Sequence, residues 1–159
     1  MFTSWRFRVS VLLLLIAQGV HAAAPAVVGS FDKTTWALMA QSLSRPSVVV
    51  FTTTDCAFCP DVIDELAREV RRKGKPQAKL FVVVMDGAGQ SAALLANEHY
   101  RRADGLYAFN GQDLALRYSV NPEWRGLTPY VAMIASNGAV RFSTGQPSGK
   151  EMEALLSTR

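Results

Sequence analysis

Apolar side chains recur along this chain with two periods, and the alternation between the periods lays out an α/β order. Over 31–43, Trp36, Met39, Ala40 and Leu43 fall at i, i+3, i+4 and i+7. That spacing predicts an amphipathic helix with Asp32 as its N-cap, and Ser44, Arg45, Pro46 and Ser47 break it. Residues 48–53 are β-branched and aromatic, with apolar side chains on successive positions, as in a short strand buried on both faces. A second helical stripe then runs through Val62, Ile63, Leu66, Ala67 and Val70 and continues to about Lys73. Acidic residues come early in it and basic ones late, which suits the helix dipole. Pro60 falls in the first turn, where a missing N–H costs nothing, and Gly74 is the expected C-cap. Residues 78–85 form a further buried strand, so this part is a strand–helix–strand unit with a parallel, right-handed crossover.

The rest of the chain repeats the alternation in shorter pieces. Val27 and Val28 open a short edge strand. A Gly-containing turn at 86–90 leads to a helix over 91–102, with Leu94, Leu95 and Tyr100 facing inward. A strand at 105–109 and a helix at 112–118 come next, then a loop over 121–129. Strands at 130–135 and 139–144 flank Asn137 and Gly138, the signal of a type I′ hairpin turn. A final helix at 149–157 presents Met152, Leu155 and Leu156. No repeat, linker or low-complexity segment interrupts this order, so residues 23–159 read as one α/β domain.

The first 22 residues do not belong to it. Arg6 and Arg8 precede a twelve-residue apolar run, 9–20, and the small residues Ala22, Ala23 and Ala24 follow. This is the pattern of a secretory signal peptide, with cleavage expected near Ala22. The run is short of the ~20 residues a membrane-spanning helix needs, and no cysteine follows it for a lipid anchor. The mature chain is then expected to be periplasmic and monomeric. Losing two arginines leaves 15 basic residues against the 13 acidic ones, close to balance. With no basic run interleaved with aromatics, nucleic acid is excluded as a partner.

Export makes disulfide chemistry available, and the chain has two cysteines, Cys56 and Cys59, where the first buried strand hands over to its helix. A thiol at a helix N-terminus faces unpaired backbone N–H groups and the positive end of the dipole, which stabilise its thiolate. Cys56 is therefore expected to be the nucleophile and Cys59 the resolving thiol of a redox-active pair. Two other readings stay open. A staple this short removes little unfolded-state entropy. A zinc site needs two more ligands, and of the two histidines His21 lies in the leader.

Helix, strand, Cys56-Ala57-Phe58-Cys59, helix, strand, then Thr128-Pro129 opening a hairpin and a last helix: this order resembles the thioredoxin-like superfamily over nearly all of the mature chain. The resemblance implies a central mixed β-sheet flanked by helices. It also implies a cis Thr128–Pro129 bond beside the sulfurs, with Thr128, Pro129, Ala57 and Phe58 meeting substrate. An ordinary trans proline at a strand start is the bland reading. The extra strand and helix before Thr128-Pro129 resemble the TlpA/ResA branch, exported reductases that often serve cytochrome c maturation. What this implies is an exported thiol–disulfide oxidoreductase acting on disulfide-containing exported proteins. A membrane thiol-electron donor would re-reduce it, and its redox centre, the Cys56–Cys59 disulfide, would work without cofactor or metal. A disulfide oxidase or isomerase shares these motifs, although the large helical domain of DsbA-type oxidases is missing.

Several residues depart from the family pattern. Asp55 stands before the first cysteine where Trp is usual; Val50 and Val62 stand where relatives carry acids. Asp55, Asp61 and a water are the candidates for taking the Cys59 proton. His99 could join the cysteines as a copper ligand, as in exported copper chaperones, or be a half-exposed surface histidine. Trp124, with Arg125, could stand on the rim by the disulfide or pack over the core.

Overall fold

The computed structural model describes residues 23–41, 46–72 and 78–157. The leader 1–22, Leu43, Ser44, Arg45, Lys73 and Gly74 lie outside the described residues.

Six strands form one mixed sheet: β1 (Val28–Phe31), β2 (Ser47–Thr52), β3 (Lys79–Val84), β4 (Gly105–Phe109), β5 (Tyr130–Ile134) and β6 (Val140–Thr144). Their order across the sheet is β1-β4-β3-β2-β5-β6. β1, β4, β3 and β2 are parallel neighbours, β5 runs antiparallel to β2, and β6 antiparallel to β5. The extra strand expected before Thr128-Pro129 is β4. It lies inside the sheet, between β1 and β3, and leaves β1 on the edge.

Alternation along β2 explains why its run of apolar residues is unbroken. Val48 and Val50 turn to one face, where they meet Ile63, Leu66 and Val70 of α2 (Cys59–Val70) and Met152 and Leu155 of α5 (Gly149–Ser157). Val49 and Phe51 turn to the other, against Trp36 and Met39 of α1 (Lys33–Gln41) and Leu116 and Val120 of α4 (Asp113–Val120). Every residue of β2 is buried. The sheet has a helical layer on each face, the arrangement that parallel strands require.

Asp32 caps α1 as expected: its Oδ1 accepts the Thr35 N–H at 2.8 Å. Phe31 belongs to β1 rather than to this helix. The helix expected over 91–102 is broken into α3 (Ser91–Ala96) and a 3-10 turn at Tyr100–Arg102. Asn97 causes the break, because its backbone is extended and its Oδ1 accepts the N–H groups of both His99 and Tyr100. A short polar side chain that supplies an acceptor to nearby amides competes with the helix ladder. Tyr100 still points inward and is buried.

The expected type I′ turn is also absent. The last paired residues are Ile134 and Val140, and the Ala135 N–H bonds on to the Ala139 carbonyl at 2.9 Å, which leaves three residues, 136–138, to close the hairpin rather than two. Gly138 N–H bonds to the Ala135 carbonyl at 2.9 Å, and Gly138 alone in that turn has positive φ, at 83°. A type I′ turn would need positive φ at Asn137 as well. At the C-terminus, Ser148 and Glu151 cap α5 reciprocally. Ser148 N–H donates to Glu151 Oε2 at 2.7 Å, and Glu151 N–H to Ser148 Oγ at 3.3 Å.

Candidate active site

Cys56 and Cys59 are joined in a disulfide, with Cα atoms 5.5 Å apart. β2 ends at Thr52, and three residues of turn carry the chain to Cys56, whose N–H bonds back to the Thr53 carbonyl at 3.3 Å. Cys59 N–H bonds to the Cys56 carbonyl at 3.3 Å, which closes the four-residue loop. Cys59 is the first residue of α2 and is 1% exposed, whereas Cys56 is only half-buried. The pair is therefore asymmetric: Cys56 is partly exposed and Cys59 is sealed from solvent.

The start of α2 suits a thiolate. Phe58 occupies the N-cap position and makes no side-chain cap, and Pro60 lies in the first turn. The leading amides are thus left without a capping side chain at the end where the helix dipole is positive. Ala57 and Phe58 are exposed, Phe58 at 76%.

Sheet register brings Thr128 and Pro129 to the same end. Phe51 of β2 pairs with Tyr130 of β5, so the residue before Tyr130 lies across from the strand end that leads to Cys56. The Thr128–Pro129 peptide is cis. Pro129 is buried, and its carbonyl accepts the Gly145 N–H at 2.8 Å; Thr128 is half-buried, and Leu127 before it is 63% exposed.

Trp124 packs over the core and does not stand on the rim. It is 5% exposed, stacks on Tyr130 with ring centroids 4.5 Å apart, and lies 4.9 Å from Phe51. Its Nε1–H donates to the Leu127 carbonyl at 3.0 Å, which ties the loop before Thr128 to the core. Burial pushes the neighbouring Tyr130 hydroxyl up, while the hydrogen bond from Asn121 Nδ2 draws it back.

Asp55, beside Cys56, is exposed, and so is Asp61 in the first turn of α2. Val50 is fully buried on the α2 face of β2. His99 turns its Nδ1 to Asp64 Oδ1 at 3.2 Å, on the outer side of α2, where Arg102 Nε also meets that carboxylate at 2.7 Å. Among the described residues, no group of three or more His, Cys, Asp or Glu side chains is placed to hold a metal ion.

One residue at this end was not singled out by sequence reasoning. Asp86, just after β3, accepts two hydrogen bonds from Thr54: the backbone N–H at 2.9 Å and the hydroxyl at 2.5 Å. The sequence signal would have been an acid directly after the strand that neighbours the cysteine strand.

No protein-family model and no curated protein matches this chain by sequence. Solved structures do match by shape. The reduced N-terminal domain of PilB from N. meningitidis is 20% identical, with 76% of this chain and 84% of that chain covered and a TM-score of 0.53. A secreted Mycobacterium tuberculosis disulfide oxidoreductase, described as homologous to E. coli DsbE, is 15% identical, with 82% and 93% covered and a TM-score of 0.51. MTB DsbF is 14% identical, with 87% and 98% covered and a TM-score of 0.51. At these identities the likeness is one of fold, and the fold is thioredoxin-like.

Proposed function

We propose that this chain is an exported thiol–disulfide oxidoreductase that reduces disulfides in other exported proteins. The observation that carries the proposal is the disulfide between a half-buried Cys56 and a sealed Cys59 at the start of α2. In the dithiol form, the Cys56 thiolate attacks a substrate disulfide, forms a mixed disulfide and expels one substrate thiolate, which takes up a proton. Cys59 then loses its proton and attacks the Cys56 sulfur. The Cys56–Cys59 bond forms, the mixed disulfide breaks, and the second substrate thiol leaves, so two electrons pass from protein to substrate.

One feature favours the reducing direction, one a protein substrate and one export. The Asp55 carboxylate, next to Cys56 in sequence, opposes the stabilisation that the helix end gives the Cys56 thiolate, and a less stable thiolate makes a stronger reductant. Phe58, within the dithiol loop, and Leu127, just before Thr128, are exposed apolar side chains that offer contact to a substrate, which Ala57 and the Thr128 backbone would also meet. The secreted mycobacterial oxidoreductase supports export. The proposal includes a membrane thiol-electron donor to restore the dithiol, a monomeric protein, and no cofactor beyond the disulfide. Cytochrome c maturation is the setting that the TlpA/ResA resemblance implies.

Two measurements test this. Cys59→Ala should accumulate covalent adducts with a disulfide-bearing protein, and the adducts should disappear on adding dithiothreitol. The equilibrium of the pair with glutathione should give a potential near or below roughly −230 mV, and a value near roughly −120 mV would make the protein an oxidant and sink the reductase direction.

A further inference from the structure

We infer that Asp86 is a positioning residue for the dithiol, holding the turn that carries Cys56 through its grip on Thr54. The inference rests on the redox reading above and goes beyond it to a residue 32 positions away from Thr54 in sequence.

The grip has two points. Thr54 N–H donates to Asp86 Oδ1 at 2.9 Å and Thr54 Oγ1–H to Oδ2 at 2.5 Å, so both carboxylate oxygens are engaged by one residue. Hydrogen bonds to an ionised acceptor are the strong ones. Thr54 lies two residues before Cys56, and the Cys56 N–H closes the same turn on Thr53. The Asp86 carboxylate thus stands one side chain away from the backbone that aims the nucleophilic sulfur.

Asp86 is itself held in place. Gly87 N–H bonds to the Val84 carbonyl, and Gln90 Nε2–H donates to the Asp86 carbonyl at 2.8 Å. Gly87 is wedged between strand and helix, because a Cβ there would come within 2.7 Å of the Leu94 side chain and 3.0 Å of Val84 Cβ. Met85 N–H bonds to the Thr52 carbonyl at 2.8 Å, which continues the β2–β3 ladder up to the grip. Beneath α2, the buried Tyr100 hydroxyl is pushed up first by burial, held back by the Thr52 side chain, and pushed further by the Asp86 charge.

The contacts are those of the disulfide form. Releasing them frees the turn at 53–56 and lets the two sulfurs part, which favours the dithiol. Loss of the carboxylate charge also favours the Cys56 thiolate. Both effects make the disulfide easier to reduce. In that reaction two glutathione molecules give up two electrons and two protons, the Cys56–Cys59 bond breaks, and glutathione disulfide forms.

The test is a double-mutant cycle in the full chain, read as the equilibrium constant of the pair with glutathione. Asp86→Ala should shift it about tenfold toward the dithiol, or about 30 mV, and Thr54→Ala, which loses the hydroxyl contact but keeps the backbone N–H bond, should shift it less in the same direction. The double variant should shift no further than Asp86→Ala, because removing the carboxylate already removes the hydroxyl contact that Thr54→Ala loses. Asp86→Asn keeps an oxygen for the Thr54 N–H and should shift less than Asp86→Ala. If Asp86→Ala does not fold, Thr54→Val, which like Thr54→Ala retains the backbone hydrogen bond and also keeps the β-branched shape, should still shift the constant toward the dithiol. Additive shifts, or shifts below about twofold on a normally cycling wild-type pair, would overturn the role of Asp86 alone. A wild-type pair inert toward glutathione would overturn the redox reading itself.

Discussion

Replacing Trp124 by alanine should be among the most damaging single changes in this protein, and the structure says why. The indole is 5% exposed, lies parallel to Tyr130 at 4.5 Å with an interplanar angle of 8°, and sits 4.9 Å from Phe51. Truncating a buried aromatic of this size costs about 3–5 kcal/mol, the loss of transfer energy and the cavity combined. The Nε1–H bond to the Leu127 carbonyl adds about 1 kcal/mol. A total of about 4–6 kcal/mol is a large share of the roughly 5–15 kcal/mol that holds a domain folded. Trp124→Phe separates the terms: it keeps a ring against Tyr130, loses the hydrogen bond, and should cost about 1–2 kcal/mol. Urea unfolding followed by far-ultraviolet circular dichroism, with both variants in the oxidised state, measures the two costs on one scale. If Trp124→Ala lost less than about 1 kcal/mol, the reading of Trp124 as a core anchor of the 121–129 loop would be wrong.

Phe58→Ser and Leu127→Ser change side chains that are 76% and 63% exposed, so stability should move by less than about 0.5 kcal/mol. Their KM for a protein disulfide should nonetheless rise several-fold, and an unchanged KM in steady-state reduction assays would remove these residues from the substrate surface. Gly126 has φ +86°, and a Cβ there would meet the Arg117 guanidinium at 2.8 Å. Gly126→Ala should therefore cost about 1–2 kcal/mol in the same urea assay. Hydrogen bonds from Thr35 hold Asp32 below the usual carboxylate range, and those from Ser148 do the same for Glu151. Depressed values mean stability that is present above the ordinary range of about 4 and lost as pH falls through it toward the folded-state values. Asp32→Asn with Glu151→Gln should accordingly flatten the acid limb of a melting-temperature profile, and an unaltered limb would refute that assignment.

The elements that could be read from the chain are those whose side-chain pattern has one solution. β2 and β3 carry unbroken apolar runs, Val48 to Phe51 and Leu80 to Val84, that are buried on both faces, and a short run of this kind, rich in β-branched and aromatic residues, reads as a buried strand. α2 separates its apolar stripe cleanly from its charges, and the structure keeps Val62, Ile63, Leu66, Ala67 and Val70 buried. The failures came where a polar side chain or a loop length decided the outcome. The spacing of Leu94, Leu95 and Tyr100 fits a helix whether or not it is interrupted, and only the Asn97 carbonyl oxygen, taken by two amides, distinguishes the cases. At Asn137-Gly138 the dipeptide signals a two-residue turn. The turn type depends on backbone angles, with positive φ at Gly138 and not at Asn137, which the dipeptide does not record.

The site divides along the same line. Cys56 and Cys59 are neighbours in sequence, so their spacing and the helix that follows carried the chemistry without a structure. Thr128 and Pro129 are about seventy residues further on and became legible only through resemblance; their placement depends on β5 pairing with β2 at Phe51 and Tyr130. Asp86 was invisible for a more specific reason. The parallel register sets Thr52 opposite Val84, and stepping two residues past each strand end brings Thr54 opposite Asp86. Nothing in either local segment records that register, because a one-residue slip would leave both strands equally apolar and turn the carboxylate away. Long-range register, more than motif content, is therefore what the folded structure adds to the reading of this dithiol.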